Sequence, residues 1–570
     1  MTAAPHELLY VPPGRAGISK TALHHLLDRI EQEQIQFHSL MILRHGVVGA
    51  ACWWKPYGPD LPHHLYSFSK SVVSLAVGIA VEEGLFSLDN LVADFFPEKI
   101  SAKADSRIYE LTVRHLLIMS SGVQFNEIFV VTEGDWVEKF LNAPFAFSPG
   151  EKFHYNSMNT LILSAIIQKT AGQGLAAYLK PRLFEPLGIR EVQWDCSPDG
   201  IEAGGWGLYL RTEDLAKIAL LCLQKGVYQG RQLVPAKWIE DVSSIQIDNQ
   251  TTALGSVESR HNTAGYGYHF WICPTPGVYR ADGAFGQYAV IWPEKDLAVI
   301  ATSGQGPQDA VLDAIWDTLI TPLELEDGAG EWQVLPNAGW DPVLAQRMAS
   351  CSLLQPAHLS SHSELEKNVS GRKYTLRRNI DSVLPLMLRA LDRVFLIGIR
   401  HFSLTFGAHG CILDWREGAY LNSVPVSLDH SILQTFINIG GHNYRVACAG
   451  GWEEEQVFLV RIFFLNTPHT RILRFRFLAG GNGVSLLWEE VPSLKNSLAF
   501  VLDMKMAEMC IRDRLHPFQQ IPAQKQCVEN QDAVFLHAFH KRLIPAGYNP
   551  FPIRSSCFAV EAAAPYQPVQ

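Results

Sequence analysis

Ser67 and Lys70 stand three residues apart at the head of an apolar run that reaches Gly78. On a helix, residues three apart share a face, so the Lys70 amine reaches the Ser67 hydroxyl. The following residues, among them Val72, Val73, Leu75, Ala76, Val77 and Ile79, are apolar almost all round, as in a helix packed on every side, and Gly84 supplies a stop. The start of such a helix offers free N–H groups and partial positive charge where an oxyanion would form. A serine, an amine one turn away and an anion site are the parts of a nucleophilic hydrolase. The plain alternative is a buried helix whose serines only cap its start. A second Ser-x-x-Lys, Ser370 to Lys373, lies in a polar, glycine-containing stretch with no helix behind it and reads as coincidence.

A tyrosine that could share the proton, Tyr155, falls at a turn just before a helix running from about 158 to Ala171. Ser-x-x-Lys opening a helix, followed by Tyr155-Asn156-Ser157 at a turn, resembles the serine β-lactamase and penicillin-binding family, in its class C and esterase branch. The chain is particularly similar to the group of 6-aminohexanoate-dimer hydrolase and related carboxylesterases, whose Gly-x-x-Gly-Gln arrangement appears at Gly283, Gly286 and Gln287. The resemblance covers residues about 15–325.

The resemblance implies Ser67 as the acylated nucleophile, Lys70 as the group that takes or relays its proton, and Tyr155 as second general acid/base. It places the oxyanion between the backbone N–H groups of Ser67 and Ala284. Asn156, Ser157, Trp136, Gly283 and Gln287 are candidate pocket residues, and Trp206 could join Trp136 in lining an acyl or amide pocket. Two departures stand out. The family's Tyr-x-Asn appears with serine third and asparagine second, and the one literal Tyr-x-Asn, Tyr420 to Asn422, falls in a later β region and is a decoy. The Lys-Thr-Gly or His-x-Gly motif is missing, and Arg280-Ala281-Asp282-Gly283 occupies its region. That cation helps hold a substrate carboxylate in the family, so its absence argues against β-lactam and peptidoglycan substrates. Arg280 itself reads as a surface charge, and His63 and His64 as solvated loop histidines.

Residues 17–36 read as an amphipathic helix, and 39–44 with 47–53 as a hairpin turning at His45-Gly46. Leu111–Met119, Leu208–Lys225 and Pro235–Val242 read as helices, and the stretch 124–131 with Trp136 and Phe140 as one wall of a cleft. Tyr266–Ile272, Val278–Ala281, Gln287–Trp292 and Leu297–Ser303 read as neighbouring antiparallel strands, with a helix at 308–321 returning across them. The fold class is therefore α+β, an antiparallel sheet flanked by helices of the β-lactamase/transpeptidase kind, followed by an all-β domain. Boundaries fall at 1–330 for the hydrolase domain and 345–490 for a barrel- or sandwich-like accessory domain, with a Gly-, Glu- and Pro-rich linker between. Residues 500–570 fit neither, and Met509 to Arg514 looks like translated adapter sequence.

The 570 residues are 47% hydrophobic and 18% charged, with a net charge of −10, so there is no basic footprint for nucleic acid or an anionic membrane. The ten cysteines are scattered without paired spacing, as in a reducing compartment. No signal peptide and no span-length apolar run is apparent, which points to a cytoplasmic protein. No histidine spacing suggests a metal and no glycine-rich loop a phosphate, so no cofactor is expected. The leading reading is a serine hydrolase of a small ester or amide. The alternatives are a β-lactamase or D-alanyl carboxypeptidase activity, or a non-catalytic binding protein that keeps the fold.

Overall fold

The computed structural model describes residues 7–493 apart from 126–133, 250–258, 327–329, 355–358, 377–381, 393, 395–397, 409 and 430. The segment beyond residue 500, and most of the 124–131 wall, lie outside the described residues. The chain divides into two compact units. The first runs to Leu353 and adds Leu465–Pro468; the second holds Leu354–Phe464 and His469–Glu490.

In the first unit, Ser19 caps helix α1 (Lys20–Gln32) by accepting from the Ala22 N–H, and Leu23, Leu26, Leu27 and Ile30 form its buried stripe. Strands β1 (Phe37–Arg44) and β2 (Val47–Trp53) form the expected hairpin. Its turn residues His45 and Gly46 both take positive φ, 53° and 73°, the geometry a tight right-twisting hairpin requires. Helices α2 (Ser69–Glu82), α3 (Ser157–Ala171) and α4 (Thr212–Leu223) follow. Strands β3 (Trp271–Ile272), β4 (Tyr279–Gly283), β5 (Gln287–Trp292) and β6 (Leu297–Ser303) then complete a six-stranded antiparallel sheet in the order β2-β1-β6-β5-β4-β3.

The strands alternate between two cores, as the two-residue period demands. Met41, Leu43, Ala281, Ala289, Ile291, Ala298 and Ile300 join the core built by α2, α3 and α4. Leu40, Ile42, Val290, Leu297 and Val299 join a second core with α1 and helix α5 (Asp309–Ile315). Buried on both faces, β1 reads as a continuous apolar run.

Several expected boundaries move. The helix read over 208–225 starts at Thr212, with Leu208–Leu210 a short strand, and the one over 111–119 shrinks to Val113–Leu117. Only Trp271–Ile272 of the stretch 266–272 is strand, because His269 takes φ +60° and turns the chain. The first unit also passes residue 330: helix Pro342–Ser350 lays Leu344 into the second core.

The second unit is a nine-stranded, mainly antiparallel sheet between Lys373 and Val491. It encloses a core that includes Phe402, Trp415, Phe458 and Phe475. Both decoy motifs lie here. Ser370 Oγ accepts from the Phe406 N–H at 3.0 Å, while Lys373 opens a short strand with its side chain exposed. Asn422 spends its amide on the Asn438 backbone, at 2.9 and 3.1 Å.

Candidate active site

The nucleophile candidate is placed by a change of backbone hand. The two-residue strand His63–His64 pairs with Leu208–Leu210, and Tyr66 then takes φ +48°. A non-glycine residue in that region costs about 1–2 kcal/mol. The Tyr66 ring is fixed edge-on to His64 at 4.1 Å and to Phe285 at 5.2 Å. Ser69 ties the same turn down, donating to the Tyr66 carbonyl at 2.7 Å and accepting from the Leu208 N–H at 3.2 Å. Ser67 therefore stands half-buried in a single 3₁₀ turn, Tyr66–Phe68, that feeds directly into α2. Helix α2 is buried from Ser69 to Ala80. Gly78 belongs there because a Cβ would lie 2.5 Å from the Trp238 ring.

Lys70 is 1% exposed. Its Nζ donates to Ser67 Oγ at 2.9 Å, Ser157 Oγ at 2.9 Å and the Gly205 carbonyl at 2.7 Å. An ammonium fills all three acceptors with its three hydrogens. A neutral amine keeps two donors and turns a lone pair outward. Gly205 O can only accept, whereas the Ser67 and Ser157 hydroxyls can also give a hydrogen to that lone pair. Nζ also sits 4.7 Å from the centre of the Tyr155 ring.

Tyr155 lies half-buried in irregular chain just before α3, stacked on Trp271 with centroids 5.9 Å apart and planes 21° apart. Asn156 and Ser157 divide the work of the altered motif. Asn156 is fully buried and caps α3, accepting from the Met158 N–H at 2.9 Å while donating to the Val123 and Phe125 carbonyls at 3.1 and 3.0 Å. Ser157 faces Lys70. Asn156 is thus scaffold, and Ser157 is the motif residue in contact with the amine.

Where β4 ends, Gly283 passes so close to Leu65 that a Cβ would fall 2.1 Å from the Leu65 carbonyl oxygen. This brings Ala284 beside the turn that carries Ser67. The chain then reverses through Phe285 and Gly286, at φ +67° and +92°. Gln287 holds this reversal: its amide donates to the Ala284 and Ser303 carbonyls at 3.0 and 2.8 Å and accepts from the Ser303 N–H at 3.3 Å. Gln287 is fully buried, so it supports the Ala284 turn from behind.

Trp136 heads the helix Trp136–Leu141 and is buried, its ring 6.0 Å from the half-buried Trp206. Trp206 follows Gly205, the carbonyl partner of Lys70. Sequence reasoning missed Gly205; the glycine-rich run Gly204 to Gly207 was the available signal. A Cβ on Gly205 would meet the Ser157 carbonyl oxygen at 2.5 Å, so only glycine brings this carbonyl to the amine.

His269 was also missed. It is buried behind α2, its Nε2 3.0 Å from Thr160 Oγ1 and its carbonyl accepting from Ser71 Oγ at 2.7 Å. Burial first, and the Lys70 charge second, hold its pKa well below the ordinary histidine value, so its imidazole is neutral.

Two sequence readings are corrected. His63 and His64 are not solvated; they are 4% and 0% exposed. His63 Nε2 lies 2.9 Å from His38 Nδ1, and burial pushes its pKa down to about 3. Arg280 is not a surface charge either. It is fully buried, paired with Asp282 at 2.9 Å and donating to the His261 carbonyl at 2.8 Å. Alternation along β4 sends Tyr279 and Ala281 to the α2 side and Arg280 to the other, so the strand offers Ala281 rather than a cation to the face that carries Ser67. Among the described residues, no group of three or more His, Cys, Asp or Glu side chains is arranged to hold a metal ion.

The Beta-lactamase family model matches residues 25–321, and the chain belongs to that family. It is 24% identical to 6-aminohexanoate-dimer hydrolase of Paenarthrobacter ureafaciens over half of this chain and 80% of that protein. It is 28% identical to esterase EstB of Burkholderia gladioli over 155 residues, 24% of this chain and 39% of that one. A penicillin-binding protein homologue from Caulobacter crescentus superposes with a TM-score of 0.43 at 18% identity, covering 54% of this chain and 99% of that one. No helix among the described residues is long and apolar enough to cross a membrane.

Proposed function

We propose that the first unit is a serine hydrolase that cleaves a small ester or amide through an acyl-enzyme on Ser67. The observation that carries this reading is Lys70, an almost fully buried amine that donates to Ser67, Ser157 and the Gly205 carbonyl. With Lys70 as the free amine, Ser67 Oγ attacks the substrate carbonyl while its proton passes to Nζ. The Ser67 and Ala284 N–H groups receive the oxyanion. Collapse of the tetrahedral adduct expels the alcohol or amine, which takes the Tyr155 proton; the phenolate then deprotonates the attacking water, and Nζ returns its proton to Ser67 Oγ as the acid leaves.

The substrate carries no carboxylate that the enzyme must hold, because β4 turns Ala281 toward the nucleophile's face and Arg280 is committed to Asp282. This favours an ester or amide hydrolase over a β-lactamase or a carboxypeptidase. The names of the relatives do not decide it, since an esterase, a dimer hydrolase, a β-lactamase and D-alanyl-D-alanine carboxypeptidases all occur among them. We place the reaction in the cytoplasm, on a small-molecule substrate; the described cysteines are free, as a reducing compartment keeps them.

A substrate panel on the purified chain tests the reading. Turnover of p-nitrophenyl butyrate that disappears in Ser67→Ala, with nitrocefin left intact, is expected. Nitrocefin turnover would select the lactamase, and no turnover of any ester or amide would select the non-catalytic protein.

A further inference from the structure

Trp271 carries no reacting group, yet four side chains hold its indole. Tyr155 stacks on it at 5.9 Å, Tyr266 meets it edge-on at 5.0 Å and Phe153 at 5.9 Å. The Arg280 guanidinium carbon lies 5.5 Å from the ring centroid. Trp271 and Arg280 are direct partners across the β3–β4 register. Arg280 cannot shift, being locked by Asp282, the His261 carbonyl and Asn262. The brace is therefore rigid from the buried strand outward to the indole.

Tyr155 is the opposite case. It sits in irregular chain with no ladder of backbone hydrogen bonds through it, and the nearest regular backbone is the start of α3 at Ser157. Its ring stacks on Trp271, lies under the Lys70 amine and packs on the cluster of Met119, Phe153 and Tyr266. Aromatic pairs favour offset-stacked or edge-to-face geometry and gain about 0.5–1.5 kcal/mol beyond their area burial, so the stack biases the ring's tilt.

We propose that Trp271, braced by Arg280, is the positioning residue that sets the Tyr155 phenol toward Ser67 and Lys70. The strand that lacks the expected cation thus still serves the reaction, through a buried arginine acting on an indole. This rests on the reading of Tyr155 as general acid/base. A displacement of about 1 Å in a reacting group costs about 100-fold in rate, and loss of the indole permits a shift of that size.

A double-mutant cycle on the full chain, with p-nitrophenyl butyrate as substrate, tests the proposal. Trp271→Ala is expected to lower kcat about 10- to 100-fold with KM changed less than about three-fold. In a Tyr155→Phe background the same change is expected to lower kcat less than about two-fold, because the group it positions is already gone. Trp271→Phe, which keeps a ring in the stack, restores most of the lost kcat; if Trp271→Ala fails to fold, Trp271→Leu takes its place in the cycle. Equal losses in both backgrounds, or a loss confined to KM, would overturn the role of Trp271 and leave that of Tyr155 standing. Wild-type kcat in Tyr155→Phe alone would instead remove the parent reading.

Discussion

Ser67 with Lys70 and Ser370 with Lys373 share one spacing and little else. In the first pair a 3₁₀ turn runs into a buried helix, and Lys70 is 1% exposed with three hydrogen-bond partners. In the second, Ser370 ends a four-residue helix, Gly371 turns the chain at φ +73°, and Lys373 is an exposed strand residue. Residues three apart share a face on a helix, whereas in extended chain they point to opposite sides. Spacing alone is therefore empty; what sets Lys70 apart is a backbone that aims it at Ser67 and a core that buries it.

The largest effect that separates the two pairs is loss of the amine. Lys70→Met is expected to lower kcat/KM for p-nitrophenyl butyrate by about 10²- to 10⁴-fold, while Lys373→Met stays within about two-fold. Steady-state kinetics on both variants decides it, and a comparable loss from Lys373→Met would break the contrast.

Acid should distinguish the surroundings of the two serines next. His63 and His269 are buried and neutral in the folded first unit, their pKa values pushed below the ordinary histidine value, to about 3 for His63. The unfolded chain binds protons at these sites below about pH 6.5 and the folded chain does not. Their contribution is thus complete above about pH 6.5 and is lost as pH falls toward the folded values, at up to about 1.4 kcal/mol per pH unit for each histidine. Thermal melts from pH 7.5 to 5 should show the transition that contains Ser67 moving down. In His63→Gln the slope of that shift should be smaller; an unchanged slope would contradict the assignment.

A smaller effect refines the Ser67 side alone. Ser157→Ala removes one of the three acceptors of Lys70 and leaves the α3 cap at Asn156 intact. A loss of about 10-fold in kcat/KM is expected, equivalent to about one hydrogen bond, with the melting temperature unchanged. Asn156→Ala should behave the other way, lowering stability by about 2–4 kcal/mol through the lost cap and the lost hydrogen bonds to the Val123 and Phe125 carbonyls.

What could be read from the sequence was what local chemistry dictates. The apolar run after Lys70, the His45-Gly46 turn and the polar setting of Ser370 each follow from residues close together in the chain. The rest depended on partners from elsewhere. His63 reads as a loop histidine until β1 brings His38 to within 2.9 Å of it. Arg280 reads as a surface charge until Asp282 and the His261 carbonyl close over it. Gly205 has no side chain to advertise chemistry; its carbonyl matters only because the fold lays it 2.7 Å from Lys70. His269 follows the same rule, since its φ of +60° ends a strand that alternation alone would extend.

Covalent labelling followed by peptide mapping tests the central claim most directly. A fluorophosphonate probe, mapped by mass spectrometry on the intact chain, should leave one adduct, on the peptide that contains Ser67 and none on the peptide that contains Ser370. An unmodified Ser67 in folded protein, or an adduct at Ser370, would contradict the account.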